Sequence, residues 1–159
     1  RSMRSQWIAR LLAFLLLGVS LFYGVRSIKE VSLDYVNQGS IADSSGQWGA
    51  WSSEMVDELL AEGRPVFVDF TATWCLICQV NKKVALRTDA TESLLIEKGI
   101  VALEADWTRY DSGITDALEN FGRSGVPLYL LYTPDGEVTL LPQSLSNDIV
   151  RQAIQKALP

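Results

Sequence analysis

Residues 69–82 read DFTATWCLICQVNK and contain both cysteines of the 159-residue chain, Cys75 and Cys78. A compact run of β-branched and aromatic residues at positions 66–70 predicts a strand directly before them. After a short break, apolar residues recur at helical spacing across positions 75–87, which predicts a helix that starts at Cys75. The cysteines therefore lie at the junction between a strand and the helix that follows it.

The start of a helix favours an anion, because free N–H groups and a partial positive charge face that end. A thiolate at Cys75 should be stabilised there, and Cys78, one turn further on, can reach it. Two intervening residues allow the sulfurs to bond across the first helical turn. This spacing suits reversible disulfide exchange.

Other sites built from cysteines fit the sequence less well. A structural zinc site needs about four ligands, and the chain has no histidine and no third cysteine. Covalent haem attachment requires a histidine after the second cysteine, where Gln79 stands. A plain structural disulfide stays open as the alternative to a redox-active pair.

Three stretches resemble the C-terminal periplasmic domain of DsbD-type (including ScsB-like) thiol:disulfide interchange proteins. They are WGAWSSEMVDELLAEGRPVFVDF at 48–70, VDFTATWCLICQVNKK at 68–83 and ALEADWTRYDSGITDALENFGRSGVPLYLLY at 102–132. The WCxxC motif, followed later by Gly-Val-Pro, is the most specific part. The resemblance implies an α/β thioredoxin fold, in which helices flank a central mixed sheet, and an electron-transporting membrane domain before it.

The resemblance also implies roles in disulfide exchange. Cys75 would attack a partner's disulfide, and Cys78 would resolve the mixed disulfide. Asp69 would lie buried beneath the cysteines and accept or return the proton of Cys78. Its place in an apolar strand makes an unpaired carboxylate costly to bury, so an Asp69 that faces outward or caps a turn is the alternative.

A surface for partner docking is implied on Trp74, Val126 and Pro127. The resemblance places a cis Val126–Pro127 bond opposite the cysteines. There it would turn the Val126 backbone toward an extended partner chain and remove an N–H from the contact. An ordinary trans proline at the start of a strand is the alternative.

Lys82 departs from the family, which often has an acidic residue at this position. An ammonium close to the cysteines would favour the thiolate, which makes Lys82 a candidate modulator of the cysteine pKa. A solvated helix face is the more ordinary place for Lys82 and its neighbour Lys83.

Residues 7–25 (WIARLLAFLLLGVSLFYGV) are nearly all apolar and predict a membrane anchor within residues 1–29. The arginines before this segment point the N-terminus to the cytoplasm. A cleaved signal peptide and a buried globular helix are the alternatives. Residues 30–47 are polar and contain glycine, which predicts a linker. Because the first residue is not Met, we expect the C-terminal piece of a longer protein.

The remainder, residues 48–159, predicts one domain. Its expected order of elements is βαβαββα with an extra helix in front, and the strands after the redox helix are expected to begin at Ile100 and at Val126. Ser52 or Ser53 should cap the first helix and Ser146 the last, and residues 134–136 should turn between two antiparallel strands. The net charge of −5, from 14 basic and 19 acidic residues, and the lack of a basic run argue against nucleic acid as a partner.

Together these features predict a membrane-tethered protein-disulfide reductase with its domain in the periplasm or an equivalent space. It would pass electrons from a membrane-embedded dithiol to partner disulfides without a cofactor or metal. One alternative is a self-standing tethered thioredoxin for cytochrome c biogenesis. Another is a redox-inactive binding module with a structural disulfide.

Overall fold

A computed structural model describes residues 48–159 of the chain. The predicted anchor and linker, residues 1–29 and 30–47, lie outside the described residues. Within the described part, no helix combines the length and the apolar character needed to cross a bilayer.

Strands and helices follow one another along the described chain, and a π-helical turn continues the helix that begins after Cys75. In chain order the elements are β1 (Gly49–Ala50), α1 (Ser53–Ala61), β2 (Val66–Thr71), α2 (Leu76–Asn81), the π turn (Lys82–Leu86), α3 (Asp89–Glu97), β3 (Val101–Asp106), α4 (Ser112–Asn120), β4 (Leu128–Tyr132), β5 (Val138–Leu141) and α5 (Asn147–Ala157).

The five strands form one mixed sheet in the order β1-β3-β2-β4-β5. β3 runs parallel to both β1 and β2, whereas β4 is antiparallel to β2 and to β5. All six residues of β2 are buried. The strand that leads to the cysteines is therefore the centre of the sheet, and the predicted α/β fold is confirmed.

Side chains on a strand alternate between the two faces of the sheet. Val68 and Phe70 lie on one face, in a core shared with α1 and α4. Phe67 lies on the other face, in a core shared with the π turn, α3 and α5. Asp69 has the same parity as Phe67 and so belongs to the second face. Each large side chain buried in these cores stabilises the fold by about 1.5–3 kcal/mol.

Polar side chains cap the helices at their N-termini. Ser52 accepts the N–H of Met55 at 3.1 Å, and Ser146 accepts that of Ile149 at 3.3 Å. Both caps were predicted. Caps of this kind stabilise a protein by about 1 kcal/mol each, and they fix where α1 and α5 begin.

Several elements differ from the prediction in their bounds. The two-residue strand β1 was missed, because so short a segment shows no periodicity. β3 begins one residue later than expected, at Val101. β4 was expected from Val126 but begins at Leu128, since Pro127 has no N–H to contribute to the sheet.

Candidate functional site

Cys75 and Cys78 form a disulfide, with 1.98 Å between the sulfurs and 5.3 Å between the Cα atoms. Cys75 is the N-cap of α2, and its Sγ accepts the backbone N–H of Cys78 at 3.3 Å. A sulfur that already accepts an N–H at a helix start is well placed to carry negative charge when the disulfide is reduced.

A small apolar cluster surrounds the disulfide. Cys75 and Cys78 pack with Ala72, and the partly buried side chain of Val126 packs against this cluster. The Val126–Pro127 bond is cis, as the resemblance implied. The fold thus brings the segment before β4 onto the cysteines, although the two are far apart in sequence.

Trp74 is half exposed beside the cysteines and lies against the segment after β3. Its ring stacks on Tyr110, with centroids 5.7 Å apart, and tilts against Trp107 at 6.0 Å. Its indole N–H donates to the carbonyl of Thr108 at 3.3 Å. These contacts hold the Trp74 ring in place without burying it.

The segment that supports Trp74 was not identified from the sequence. The Thr73 N–H donates to Thr108 Oγ1 at 2.9 Å, and the Trp107 indole donates to Thr115 Oγ1 at 2.8 Å. Tyr110 has a φ of 57°, a left-handed conformation that non-glycine residues seldom adopt and that often occurs at functional sites. The sequence signal was a run of aromatic and polar residues at positions 107–110, directly after a predicted strand.

Asp69 is fully buried, and neither of its carboxylate oxygens has a hydrogen-bond partner within the described residues. It pairs in register with Glu104 on β3 and with Tyr129 on β4. Burial raises the pKa of Asp69 to about 7, with Glu104 adding to the rise and with Lys82 and Arg87 opposing it. An outward-facing Asp69 is therefore excluded, and its carboxyl can take up or release a proton near neutral pH.

Lys82 does not lie on a solvated helix face, which was its more ordinary expected place. Only 18% of its side chain is exposed, and its Nζ is 2.9 Å from Glu104 Oε1. Arg87 binds the other oxygen, Oε2, of the same carboxylate. Lys83, the next residue, is exposed as expected. The departure at position 82 therefore places a cation in the interior of the site.

Asn81 is a second buried polar residue of the same helix that the sequence analysis missed. Its Nδ2 donates to the hydroxyl of Tyr129 at 2.9 Å and to the carbonyl of Gln143 at 2.7 Å. Its Oδ1 accepts the N–H of Leu145 at 3.1 Å. These bonds fasten the end of α2 to β4 and to the segment before α5.

The apolar residues that identified this helix in the sequence lie on its outer side. Leu76 is 79% exposed, and Ile77, Val80 and Val84 are each more than two-fifths exposed. The inner side holds Cys78 and Asn81, followed by Ala85 and Leu86 in the π turn. The helix therefore presents an apolar surface to solvent next to Cys75.

In the described part of the chain, no group of three or more His, Cys, Asp or Glu residues is arranged to hold a metal ion. The chemistry available at the site is that of one cysteine pair, a buried carboxyl and the charges on Glu104 and its two cations.

The thioredoxin-like family profile matches residues 47–134, more than half of the chain. The chain belongs to the thioredoxin-like family. Its sequence is 27% identical over 86 residues to the thiol:disulfide interchange protein DsbD of Actinobacillus pleuropneumoniae, a match that covers 54% of this chain and 14% of that protein. It is 30% identical over 80 residues to DsbD of Vibrio cholerae, over 50% of this chain and 13% of that protein.

Solved structures support the fold. The oxidised C-terminal domain of DsbD from Neisseria meningitidis aligns with a TM-score of 0.57 and 17% identity, over 70% of this chain and 99% of that one. A thioredoxin from Thermus thermophilus aligns with a TM-score of 0.55 and 22% identity, over 71% and 90%. The described domain is thus a thioredoxin-like domain related to DsbD, with the Cys75–Cys78 pair in place. The alignments span only about one seventh of the curated relatives.

Proposed function

We propose that the chain is a thiol:disulfide oxidoreductase that reduces disulfides of partner proteins. The observation that carries this proposal is the disulfide at the start of α2, where Cys75 Sγ accepts an N–H, together with Asp69, which lies buried on the preceding strand without a hydrogen-bond partner in the described part of the chain. A purely structural disulfide needs no buried carboxyl, which costs several kcal/mol to keep ionised. The relationship to thiol:disulfide interchange proteins supports the same chemistry.

The reaction begins with both cysteines reduced. The Cys75 thiolate attacks one sulfur of the partner disulfide, the partner's S–S bond breaks, and the released partner thiolate takes a proton from solvent. Cys78 then loses its proton to the Asp69 carboxylate and attacks Cys75 Sγ. The mixed disulfide breaks, and the second partner thiolate leaves and is protonated. Two electrons pass to the partner, and the Cys75–Cys78 disulfide remains.

Partner docking would use the surface formed by Trp74, Val126 and Pro127. Val126 packs directly against the disulfide cluster, so a chain lying along it would present its own disulfide to Cys75. Pro127 has no N–H of its own to leave unpaired in that contact. Trp74 supplies an exposed ring that is already held in place by its neighbours.

The electrons would come from a dithiol in a membrane-embedded domain. Residues 7–25 would anchor the chain in the inner membrane, residues 30–47 would act as a tether, and the domain at 48–159 would work in the periplasm. A tether of this length gives a high effective concentration toward a membrane donor while leaving the domain free to meet a second partner.

A reduction assay with the full chain tests the activity. The reduced protein, mixed with insulin, should reduce about one disulfide per chain and end with the Cys75–Cys78 bond. The Cys75→Ser variant is the control and should be inactive. If the wild-type chain reduces no insulin and its Cys75–Cys78 bond survives strong reductant, the chain is instead a binding module with a structural disulfide.

The direction of electron flow needs a separate experiment in cells. A Cys78→Ser variant can attack through Cys75 but cannot resolve, so it should accumulate in mixed disulfides. Species trapped with a membrane dithiol protein and with periplasmic reductases support the relay. Trapping mainly of newly secreted proteins would mean that the chain oxidises its partners, contrary to the proposal.

A further inference from the structure

Glu104 is held between two cations on the second face of the sheet. Lys82 Nζ lies 2.9 Å from its Oε1, and an Arg87 guanidinium nitrogen binds its Oε2. The three side chains are between 18% and 29% exposed, so solvent screens their interaction less than it would at the surface. Each carboxylate oxygen has its own cation.

The π turn explains how both cations reach one carboxylate. The Arg87 N–H donates to the Lys82 carbonyl at 2.7 Å, a bond between residues five apart. In a regular α-helix, residues five apart point about 140° away from each other around the axis. The wider turn brings positions 82 and 87 toward the same side. The Trp48 ring then lies 3.7 Å from the guanidinium carbon of Arg87 and supports it from the other side.

This cluster is next to Asp69. Glu104 is the register partner of Asp69 across the β2–β3 pair, and neighbouring strands lie about 4.8 Å apart. Two carboxylates this close disfavour a second negative charge. Because Glu104 is paired with two cations and Asp69 has no hydrogen-bond partner within the described residues, Asp69 is the carboxyl of the two that exchanges a proton.

The other groups around Asp69 are uncharged or remote. From β4, Tyr129 faces it in register, and burial raises the pKa of Tyr129 so that the phenol stays neutral. From α2, Cys78 is the thiol that the proposed reaction deprotonates. Asp106, at the exposed end of β3, interacts with Lys82. Among the described residues, the charges that act on Asp69 are those of Lys82, Glu104 and Arg87.

We propose that Lys82, Glu104 and Arg87 form a charge cluster that adjusts the pH at which the buried Asp69 gains and loses its proton, and with it the pH range of the resolving step. The part of this inference that concerns the resolving step rests on the proposed function, whereas the part that concerns the protonation of Asp69 does not. The three residues are positioning residues, since they act through Asp69. Lys82 thus acts on the carboxyl that serves Cys78, a more specific role than a general effect on the cysteines.

Two substitutions should shift the protonation midpoint of Asp69 in opposite directions. In Lys82→Gln a nearby positive charge is lost, so the protonation midpoint of Asp69 should rise by roughly half a unit to one unit. In Glu104→Gln a nearby negative charge is lost and two cations are released, so the midpoint should fall by a similar amount. Lys82→Arg keeps the charge and should stay close to the wild type.

Lys83→Gln is the matched control, because it removes the same charge from the adjacent, exposed position. The readout is the infrared carboxyl band of Asp69 in the oxidised full chain, followed against pH and assigned with Asp69→Asn. The rate of insulin reduction against pH is then measured for the same variants. The rate profile should shift in the direction of the Asp69 midpoint.

The two readouts separate the possible failures. If the protonation midpoint of Asp69 is the same in Lys82→Gln as in Lys83→Gln, the charge cluster does not control Asp69 and the inference is wrong. If the midpoints move but the rate profiles do not follow, the link to the resolving step is wrong. A wild type without reductase activity would overturn the proposed function, while the infrared titration would still decide the cluster. Should Glu104→Gln fail to fold, the Lys82 variants suffice.

Discussion

α2, directly after Cys75, and the closing helix α5 bury different kinds of residue. α5 follows the ordinary rule, with Val150 and Ile154 inside. α2 has Cys78 and Asn81 inside and turns Leu76 outward, and buried apolar side chains, Ala85 and Leu86, return only in the π turn that continues it. The π turn and α5 pack on the same face of the sheet. The difference shows where the fold gives up apolar burial in favour of chemistry.

Two consequences follow from that arrangement. The inner side of the redox helix needs polar partners, and Asn81 finds them on Tyr129 and on the segment before α5. The outer side leaves an apolar surface beside Cys75, where a partner's polypeptide can cover it. Stability and reactivity should therefore respond to substitutions in the two helices in different ways.

Replacing Asp69 should give the largest effect, because its carboxyl is fully buried and has no hydrogen-bond partner within the described residues. The pKa of Asp69 is about 7 in the folded chain and 3.8 in the reference state. The folded chain thus binds the proton more tightly, and stability falls as pH rises from about 4 to about 7. Three pKa units correspond to about 4 kcal/mol.

The oxidised Asp69→Asn variant should lose most of this dependence, so that its unfolding free energy relative to the wild type improves by up to about 4 kcal/mol between pH 4 and pH 8. Denaturant unfolding across this range measures it. Asp148→Asn in α5, where the side chain is 73% exposed, is the control and should change the pH dependence far less. If the unfolding free energies of the wild type and of Asp69→Asn changed with pH in the same way, the claim that burial raises the pKa of Asp69 would be wrong.

A matched pair of truncations compares the two helices directly. Ile154→Ala empties a fully buried position in α5 and should lower the unfolding free energy by about 2–5 kcal/mol. Val80→Ala removes a side chain that is 45% exposed and should cost about 0.5 kcal/mol or less. Denaturant unfolding at fixed pH provides both values. Equal losses of unfolding free energy in the two variants would show that Val80 contributes to packing as much as a core residue does.

The sequence predicted the parts of the fold that depend on local signals. The strand before Cys75, the helix after it, the caps at Ser52 and Ser146 and the turn at 134–136 all follow from propensity and spacing. The buried position of Asp69 also followed, from its place in an apolar strand and from the family resemblance.

The charge cluster could not be predicted in the same way. Glu104 interrupts an apolar strand as Asp69 does, which was a usable signal, but its partners depend on the register of β3 against β2. The π turn has no sequence signature and decides where Lys82 and Arg87 point. The exposed apolar residues Leu76, Val80 and Val84, called here the apolar stripe, mislead a prediction of which side of the helix is buried. Spacing shows that the segment is helical but does not show which side faces the core. Local rules fail most often where function imposes its own demands.

Substitution on the apolar stripe should have the smallest effect and should act on rate. Leu76→Ser changes an exposed side chain next to Cys75, so a few-fold slower reduction of insulin is expected with stability changed by about 0.5 kcal/mol or less. Val84→Ser, two turns further from Cys75, is the control and should slow the reaction less. Initial rates at limiting insulin measure both effects. Equal rates for Leu76→Ser and the wild type would show that the apolar stripe does not take part in partner docking.

Competition between the two thiols for a limiting alkylating reagent tests most directly whether Cys75 is the attacking thiol. Cys78 is fully buried, whereas Cys75 retains 6% exposure and its Sγ accepts an N–H at the start of α2. The reduced full chain, treated with less than one equivalent of iodoacetamide at neutral pH and mapped by peptide mass spectrometry, should therefore carry the label mainly on Cys75. Label found mainly on Cys78 would reverse the two roles and contradict the mechanism.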